Sequence, residues 1–339
     1  MPAYIEVKDL SKQFKGTEFP QRGKHFVQAL DRISIAIEEG EVLGLVGESG
    51  SGKSVLGRIL MQLLAPTSGE VLYRGEDVGG FSPDRMKGIH DRVQLIYQRP
   101  RAALNPRMTI GDLVRAPLDI RRMGSPAERL ERVVEMLKEV GLDPAVRSLK
   151  PHDYPEEQLQ QVLLARALIT RPELLVYDEP VSALESSNRP VFLKLLQNLQ
   201  ETYGFTMIFI SHDIGSTTHI SDRMAVMYLG TLTEIADVEE LHGYPLHPYT
   251  KMLIPHDPKR DHGQDPCLVL LGNGEQGPCE VPQGCPFHPR CPYATLRCQE
   301  ERPALRKIRD GHLAACHWSR PDGSIDSGED QPLKRALKG

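Results

Sequence analysis

A glycine-rich segment at residues 47–54 carries the strongest chemical signal in the chain. Its sequence, Gly-Glu-Ser-Gly-Ser-Gly-Lys-Ser, fits the pattern G-x-x-x-x-G-K-[ST], in which backbone N–H groups close around phosphate oxygens. Lys53 is expected to reach the β- and γ-phosphates, and Ser54 to coordinate Mg²⁺. The alternative is a turn that binds nothing, but a predicted strand precedes the segment and a predicted helix follows it. The expected phosphate-binding residues are Gly47, Ser49, Gly50, Ser51, Gly52, Lys53 and Ser54.

Two adjacent carboxylates follow an apolar segment much further along the chain. Asp178 and Glu179 come directly after Leu174–Tyr177, which its run of apolar residues predicts to be a buried strand. An acidic residue at the end of such a strand, beside a phosphate loop, suits the binding of Mg²⁺, and we assign this role to Asp178. Glu179 is placed to polarise an attacking water molecule.

The order of these motifs resembles that of the ATPase subunits of ABC transporters, which implies binding of ATP and Mg²⁺. Gln98 follows the predicted strand Val93–Tyr97 and matches the family's Q-loop glutamine, which contacts Mg²⁺ and couples to the membrane partner. His212 follows another predicted strand and matches the switch histidine that senses the γ-phosphate. The implied catalytic residues are Glu179, His212 and Gln98, the implied Mg²⁺ ligands are Ser54, Gln98 and Asp178, and the candidate for stacking on adenine is Phe14.

Four further segments resemble the oligopeptide/dipeptide importer ATPases, and this resemblance extends over residues 3–318. They are more specific than the nucleotide motifs, which every ABC ATPase shares. The segments are Ala103–Thr109, His152–Pro155, His247–Thr250 and Gly284–Tyr293. The resemblance implies an ATPase that energises peptide import, with a second ATPase chain and two membrane-spanning permease subunits as partners, and indirectly an extracytoplasmic solute-binding protein. It also implies a peripheral location on the cytoplasmic face of the inner membrane.

All six cysteines lie after residue 266, and four of them have the spacing of a ligand set. These four are separated by five, six and seventeen residues: Cys285, Cys291, Cys298 and Cys316. Four thiolates can complete a site for zinc or for an iron–sulfur cluster, although the C-x2-C pairs typical of structural zinc are missing. The family resemblance implies a [4Fe-4S] cluster, and Zn²⁺ remains the alternative. The other two, Cys267 and Cys279, are expected to be free thiols.

Strands alternate with helical segments along most of the chain, which predicts an α/β fold. Helical spacing follows the phosphate segment over Lys53–Leu64 and is clearest over Ala127–Val140. Together with the resemblance, this predicts an ABC-type P-loop NTPase core with a helical subdomain and a small Cys-rich C-terminal extension. The predicted strands are Tyr4–Leu10, Ile33–Ile37, Glu41–Val46, Val71–Tyr73, Val93–Tyr97, Leu174–Tyr177, Thr206–Ile210 and Met224–Leu229.

Proline and cysteine usage divide the chain unevenly, since 13 of 27 prolines fall in residues 244–339. We therefore predict a nucleotide-binding domain over residues 1–243, with its helical subdomain at about 101–170. The Cys-bearing extension is predicted over residues 244–320, and a polar tail over 321–339.

The segment before Ala165 departs from the family pattern. The ABC signature Leu-Ser-Gly-Gly-Gln is expected just after Tyr154-Pro155, but the chain continues Glu-Glu-Gln-Leu-Gln-Gln. If Gln158 is the signature glutamine, the Leu-Ser-Gly-Gly portion is absent. Glycine lets backbone approach phosphate closely, and Glu156 and Glu157 would repel it. In this family each site combines the phosphate loop of one chain with the signature of the other. The chain is thus expected to bind MgATP, and to hydrolyse it only with a partner that supplies an intact signature.

Charge and hydropathy exclude several other classes of protein. The chain has 41 Lys and Arg residues against 46 Asp and Glu, so it lacks the basic character of a nucleic-acid-binding protein. We therefore expect no nucleic-acid partner. No apolar run reaches the roughly 18 residues of a membrane-spanning helix. The first ten residues have a strand-like pattern with three charges rather than that of a secretory signal, so we expect the protein to stay inside the cell.

Two functions therefore remain as hypotheses. The first is an energy-coupling ATPase of a peptide importer, and the alternative is a nucleotide-binding regulatory or structural subunit that turns over little ATP. The transported solute is not encoded in these motifs.

Overall fold

Two β-sheets form the framework of the computed structural model, which describes residues 3–15, 26–182, 184–254 and 281–326. The smaller sheet is antiparallel and has the order β2-β1-β4-β5, and the larger has the order β11-β12-β10-β9-β3-β8-β7-β6. From β9 to β6 the strands of the larger sheet are parallel. The strands are β1 (Ile5–Lys15), β2 (Phe26–Ile37), β3 (Val42–Val46), β4 (Ser68–Tyr73), β5 (Glu76–Asp77), β6 (Val93–Ile96), β7 (Leu174–Asp178), β8 (Thr206–Ser211), β9 (Arg223–Tyr228), β10 (Thr231–Asp237), β11 (Arg306–Arg309) and β12 (His312–Ala314).

Eleven α-helices are found in the described residues. They are α1 (Lys53–Leu60), α2 (Pro83–His90), α3 (Pro100–Ala103), α4 (Ile110–Arg121), α5 (Pro126–Glu139), α6 (Leu159–Leu168), α7 (Arg189–Tyr203), α8 (Ile214–Thr218), α9 (Val238–Gly243), α10 (Pro248–Leu253) and α11 (Leu296–Glu300). None of the helices in this described part of the chain is long and apolar enough to cross a membrane.

The central strands β3, β7 and β8 of the larger sheet are buried along their whole length, which shows that both faces of the sheet are covered. Strands of this kind have nearly continuous apolar sequences, and this is why their sequence pattern was clear. One face packs on α4–α7, and the other packs on α1 and the smaller sheet. The α/β prediction is confirmed.

The helices α3–α6 lie between β6 and β7, as the predicted helical insertion requires. Their shared core includes Leu113, Val133, Leu137 and Leu163, all nearly inaccessible to solvent. The predicted helix Lys53–Leu64 ends earlier, at Leu60, and the predicted strand Ile33–Ile37 is the end of the longer β2.

The predicted C-terminal extension packs directly onto the larger sheet. Strand β12 pairs with β10 and carries β11 at the edge of the larger sheet. A third apolar cluster combines Val226 and Tyr228 of β9 with Tyr249, Phe287 and the buried Cys298. The predicted boundary at residue 243 falls between α9 and α10 and stays a prediction. Cys267, Cys279 and residues 327–339 of the predicted tail lie outside the described residues.

Candidate functional site

The phosphate loop, Asp178, Glu179 and His212 lie at three neighbouring strands whose carboxyl ends share one edge of the larger sheet. Val46 of β3 is in register with Ser211 of β8, and Asp178 of β7 with Ile210 of β8. Asp178 is the last residue of β7 and Glu179 follows it, while the phosphate loop follows β3 and His212 follows β8. In parallel α/β sheets, the crevice beyond the carboxyl ends of the strands is where ligands bind.

The phosphate loop between β3 and α1 depends on glycine at two crowded positions. Gly47 has a φ of +150°, and a Cβ there would lie 2.1 Å from the carbonyl oxygen of Met227. Gly52 has a φ of +100°, and its Cβ would lie 2.6 Å from the carbonyl oxygen of Ala29. A side chain at either position would push the loop away from the sheet. Gly52 also has no side chain with which to cap α1, so the N–H groups at the start of that helix are suited to an anion.

Lys53 is buried inside the loop that precedes it. Its ammonium group donates hydrogen bonds to the carbonyl oxygens of Gly47 (2.7 Å) and Glu48 (2.9 Å), and lies 3.3 Å from the hydroxyl of Ser51. Burial lowers the pKa of Lys53, while the nearby carboxylates of Glu179, Asp178 and Glu48 oppose this shift. The ammonium group is therefore held by carbonyl oxygens of the loop itself.

Ser54 and Asp178 meet across the crevice. The Ser54 hydroxyl donates a hydrogen bond of 3.1 Å to Oδ1 of Asp178. Burial raises the pKa of Asp178, and the Ser54 hydrogen bond and the charge of Lys53 partly offset that effect. A hydroxyl and a carboxylate oxygen at this distance are hard oxygen donors, so the pair fits the requirements of Mg²⁺.

Glu179 has a left-handed backbone, with a φ of +54°. Such a conformation is uncommon for a residue other than glycine and costs about 1–3 kcal/mol. Here it is held by the Glu179 N–H, which donates a 2.9 Å hydrogen bond to the carbonyl oxygen of Ile210. The carboxylate lies 2.9 Å from Nδ1 of His212, whose ring is largely exposed. Two residues that are 33 positions apart in the sequence thus form one unit at the crevice.

Gln98 and Phe14 lie at the ends of strands and present their side chains to solvent. Gln98 follows β6, the neighbour of β7, and is exposed. Phe14 lies near the end of β1 in the smaller sheet with an exposed fraction of 39%. The ammonium group of Lys12 lies 5.1 Å from the centre of the Phe14 ring. Their assigned roles toward Mg²⁺ and adenine stay predictions.

The segment expected to hold the signature forms a single 3-10 turn, Glu156–Gln158, directly before α6. Glu156 forms an ion pair of 3.0 Å with Arg101. The carboxylate of Glu157 accepts a 2.7 Å hydrogen bond from the side-chain amide of Asn188. Both acidic side chains that replace glycine in the predicted alignment are therefore held by neighbours.

The comparisons with known proteins decide the family. Residues 30–182 match the ABC transporter model, and residues 233–298 match the oligopeptide/dipeptide transporter C-terminal region. The oligopeptide transport ATP-binding protein AppF of Bacillus subtilis is 40% identical over 318 residues, which cover 92% of this chain and 96% of AppF. The chain belongs to the oligopeptide/dipeptide transporter family of ABC ATP-binding proteins. YkfD of the same species is 42% identical to this chain, over 93% of the chain and 95% of YkfD.

Solved structures agree with the family assignment and with the predicted ABC-type fold. The ATP-binding cassette MJ0796, solved as a dimer bound to ADP and Pi, aligns with a TM-score of 0.62 at 29% identity, covering 69% of this chain and 98% of that one. A second cassette, cbiO1 from Clostridium perfringens, aligns with a TM-score of 0.61 at 24% identity and supports the fold alone. Membership of the ABC ATPase family implies ATP hydrolysis.

The four spaced cysteines of this ABC protein line one cavity in the C-terminal extension. The cavity is lined by Cys285, Cys291, Cys298 and Cys316 together with apolar residues and histidines such as Phe287, Trp318 and His247. Burial raises the pKa of the thiols of Cys285, Cys291 and Cys316, that of Cys285 to about 12. In the described residues, no three His, Cys, Asp or Glu side chains are grouped so that they could hold a metal ion. Four thiols that line one cavity are donors of the kind that a thiolate-ligated group requires.

Two residues that contact the phosphate loop were not identified from the sequence. Tyr249 of α10 accepts a hydrogen bond from the N–H of Glu48, and Arg290 forms an ion pair with the Glu48 carboxylate. Both belong to segments that carried the family resemblance, but nothing in the spacing of those segments pointed to the loop.

Proposed function

We propose that this chain is the ATP-hydrolysing subunit of an ABC importer for peptides or similar small solutes, and that its own phosphate loop and carboxylates form an intact nucleotide site. The observation that supports this most is the convergence of Lys53, the Ser54–Asp178 pair and the Glu179–His212 pair at one sheet edge. AppF is an oligopeptide transport ATP-binding protein, and its similarity to this chain supports peptides as the cargo.

In this proposal each group has one task. Lys53 leaves the loop carbonyls to contact the β- and γ-phosphates of ATP. Ser54 and Asp178 hold Mg²⁺, which neutralises charge on the phosphates when it is bound. Glu179 accepts a proton from the attacking water, and His212 keeps the carboxylate oriented through the 2.9 Å contact at Oε2.

Nucleotide binding is tested by calorimetry with Lys53→Ala. We expect MgATP binding to be lost, because the buried ammonium is the cation inside the phosphate loop. Lys87→Ala removes an exposed lysine of α2 and serves as the matched control, with unchanged affinity. Equal affinities in the two variants would contradict the proposed site.

The proposed partners are a second ATPase chain with an intact signature, two permease subunits and, indirectly, a solute-binding protein outside the cytoplasm. The proposed location is therefore the cytoplasmic face of the inner membrane. Support for the second chain comes from Glu156 and Glu157, which occupy the predicted signature position and are paired with Arg101 and Asn188. Co-purification from membranes should recover this chain with both permeases and the other ATPase.

The same two acidic residues favour a second candidate function, a regulatory or structural subunit with little ATP turnover. An ATPase assay of this chain alone and together with its partner chain separates the two. Activity that appears on pairing supports the importer ATPase, whereas nucleotide binding without turnover in the pair supports the regulatory subunit.

For the cysteine cavity we propose a [4Fe-4S] cluster, with Zn²⁺ as the alternative. Four cysteines that line one cavity, three of them buried, support ligation through thiolates, and the family resemblance supports a cluster over a single ion. Anaerobically purified protein should contain iron and acid-labile sulfide, and Cys291→Ser should lose both. Cys267→Ser, outside the spacing pattern, is the control and should retain both. Stoichiometric zinc without sulfide would favour the alternative.

A further inference from the structure

The second residue of the phosphate loop is held by the C-terminal extension. Both carboxylate oxygens of Glu48 accept hydrogen bonds from the Arg290 guanidinium, Oε2 from Nη1 and Oε1 from Nη2, each at 2.9 Å. This two-point geometry matches a planar guanidinium to a planar carboxylate and is stronger and more directional than a single ion pair. The Arg290 side chain is only 12% exposed, so the pair is protected on one side from water.

Arg290 is held in place by its own segment. It lies in the turn between Cys285 and Cys291, where its N–H donates to the carbonyl oxygen of Phe287 at 3.0 Å. The guanidinium carbon lies 5.7 Å from the ring centre of Tyr228 and 5.8 Å from that of Phe287. Because these contacts restrict the side chain, little conformational freedom remains to be lost when it binds Glu48.

The main chain of Glu48 is held by a second residue of the extension. Its N–H donates a 2.9 Å hydrogen bond to the hydroxyl of Tyr249, a residue that is fully buried. The Tyr249 ring packs 4.7 Å from the centre of Tyr228 and 5.4 Å from that of Phe287. The backbone of Glu48 is thus fixed by a residue 201 positions later in the sequence, and its side chain by a residue 242 positions later.

Electrostatics gives this contact a consequence for ligand binding. A carboxylate next to a loop that takes up a polyanion opposes binding by like-charge repulsion. The guanidinium of Arg290 lies beside the Glu48 carboxylate and carries a positive charge that balances its negative charge. We propose that Arg290 and Tyr249 are positioning residues of the nucleotide site: Arg290 cancels the charge of Glu48, and both fix the loop for phosphate. This inference rests on the proposed nucleotide binding.

The test is a double-mutant cycle on the full chain, with MgATP affinity measured by calorimetry. Arg290→Met should weaken binding on the order of tenfold, because it leaves the Glu48 carboxylate unpaired. Glu48→Gln alone should change affinity by about twofold or less, and the double variant should recover most of the loss. A loss that Glu48→Gln does not rescue, or no loss, overturns the proposal.

Hydrogen exchange provides a second readout that does not depend on Arg290. Tyr249→Phe removes only the hydroxyl that accepts from the Glu48 N–H, so exchange should accelerate in the peptide that covers the loop. Unchanged exchange there would contradict the role of Tyr249. Arg320→Met, which removes an exposed ion pair with Asp326 in the same extension, is the control and should change neither readout.

Lys53→Ala separates this inference from the function on which it rests. If that variant still binds MgATP, the proposed nucleotide site is wrong. If it loses binding while Arg290→Met binds normally, the site stands and only the role of the extension is refuted.

Discussion

Two glycines of the phosphate loop, Gly50 and Gly52, both have a left-handed backbone, but only one of them also lacks space for a side chain. Gly50 has a φ of +80°, but a Cβ there would meet no atom within 4 Å. Gly52 has a φ of +100°, and its Cβ would collide with the backbone of Ala29. Backbone strain acts at both positions, and steric exclusion acts at Gly52 alone.

We therefore expect Gly52→Ala to destabilise the protein more than Gly50→Ala. The left-handed backbone costs an alanine about 1–2 kcal/mol at either position. At Gly52 the loop must also move away from β2, which adds to that cost. Thermal unfolding of the two variants measures the difference. Equal losses would mean that the loop relaxes freely around the added methyl group.

Residues of the nucleotide site could be predicted where a motif fixes both their type and their neighbours. Asp178 ends one buried parallel strand, and the phosphate loop and His212 follow two others, so the sheet places these residues at one edge. Arg290 could not be predicted, because its contact with Glu48 depends on the packing of a turn 242 positions away. The positions of residues within one motif can be predicted from neighbouring residues in the sequence. The packing of the extension on the loop cannot, because it depends on contacts between distant segments.

At the scale of the elements, strand β10 shows why one part of the sheet was missed. Its residue Glu234 is completely buried, where alternation predicts an apolar side chain. The carboxylate accepts hydrogen bonds from the backbone N–H groups of Leu246 (2.6 Å) and His247 (2.8 Å) and lies 2.7 Å from Nε2 of His312. These partners come from the extension, so a polar residue in a buried strand became understandable only in the folded molecule.

The half-buried Arg166 links α6 to α3, the last and first helices of the helical insertion. Arg166 of α6 donates a 2.7 Å hydrogen bond to the carbonyl oxygen of Ala103, the last residue of α3. Burial lowers the pKa of Arg166, and this carbonyl compensates part of the lost hydration. Helix α3 follows Gln98 and α6 follows the Glu156–Gln158 turn, so the bond joins the two segments to which the family resemblance assigns coupling and signature.

Arg166→Met should therefore destabilise the insertion by about 1.5–3 kcal/mol, the usual range for a hydrogen bond to a charged group. Urea unfolding measures the loss, and hydrogen exchange should accelerate in residues 100–104. Arg132→Met, an exposed arginine of α5, is the control and should stay within about 0.5 kcal/mol of the parent. A loss as small as that of the control would show that the bond contributes little to holding α3.

For the whole molecule, the proposed function requires that catalysis involves two chains. The extension contacts the phosphate loop through Tyr249 and Arg290, which bind the backbone and the side chain of Glu48. The Glu156–Gln158 turn lies at the start of α6. In the family arrangement that turn would face the phosphates of the other chain. In the proposed complex, one chain would thus contribute to two composite sites, and its departure from the signature pattern would affect only one of them.

The last prediction is catalytic asymmetry in the complex. This chain alone should hydrolyse ATP very slowly, because neither composite site would contain the signature serine and glycine N–H groups. Loss of such preorganised donors costs about 10²–10³ in rate per donor group, by analogy with oxyanion-hole deletions. With a partner that carries an intact signature, turnover should appear and depend on Glu179 of this chain.

Glu179→Gln should then nearly silence the paired complex, while the matching substitution in the partner should matter much less. Steady-state ATPase rates of the two singly substituted complexes decide between them. The reason is that only the site holding Glu179 meets a complete signature. If the partner's glutamate carries most of the turnover instead, Glu156 and Glu157 must serve in place of the missing glycines. Their pairing with Arg101 and Asn188 would then be the means by which repulsion toward phosphate is reduced.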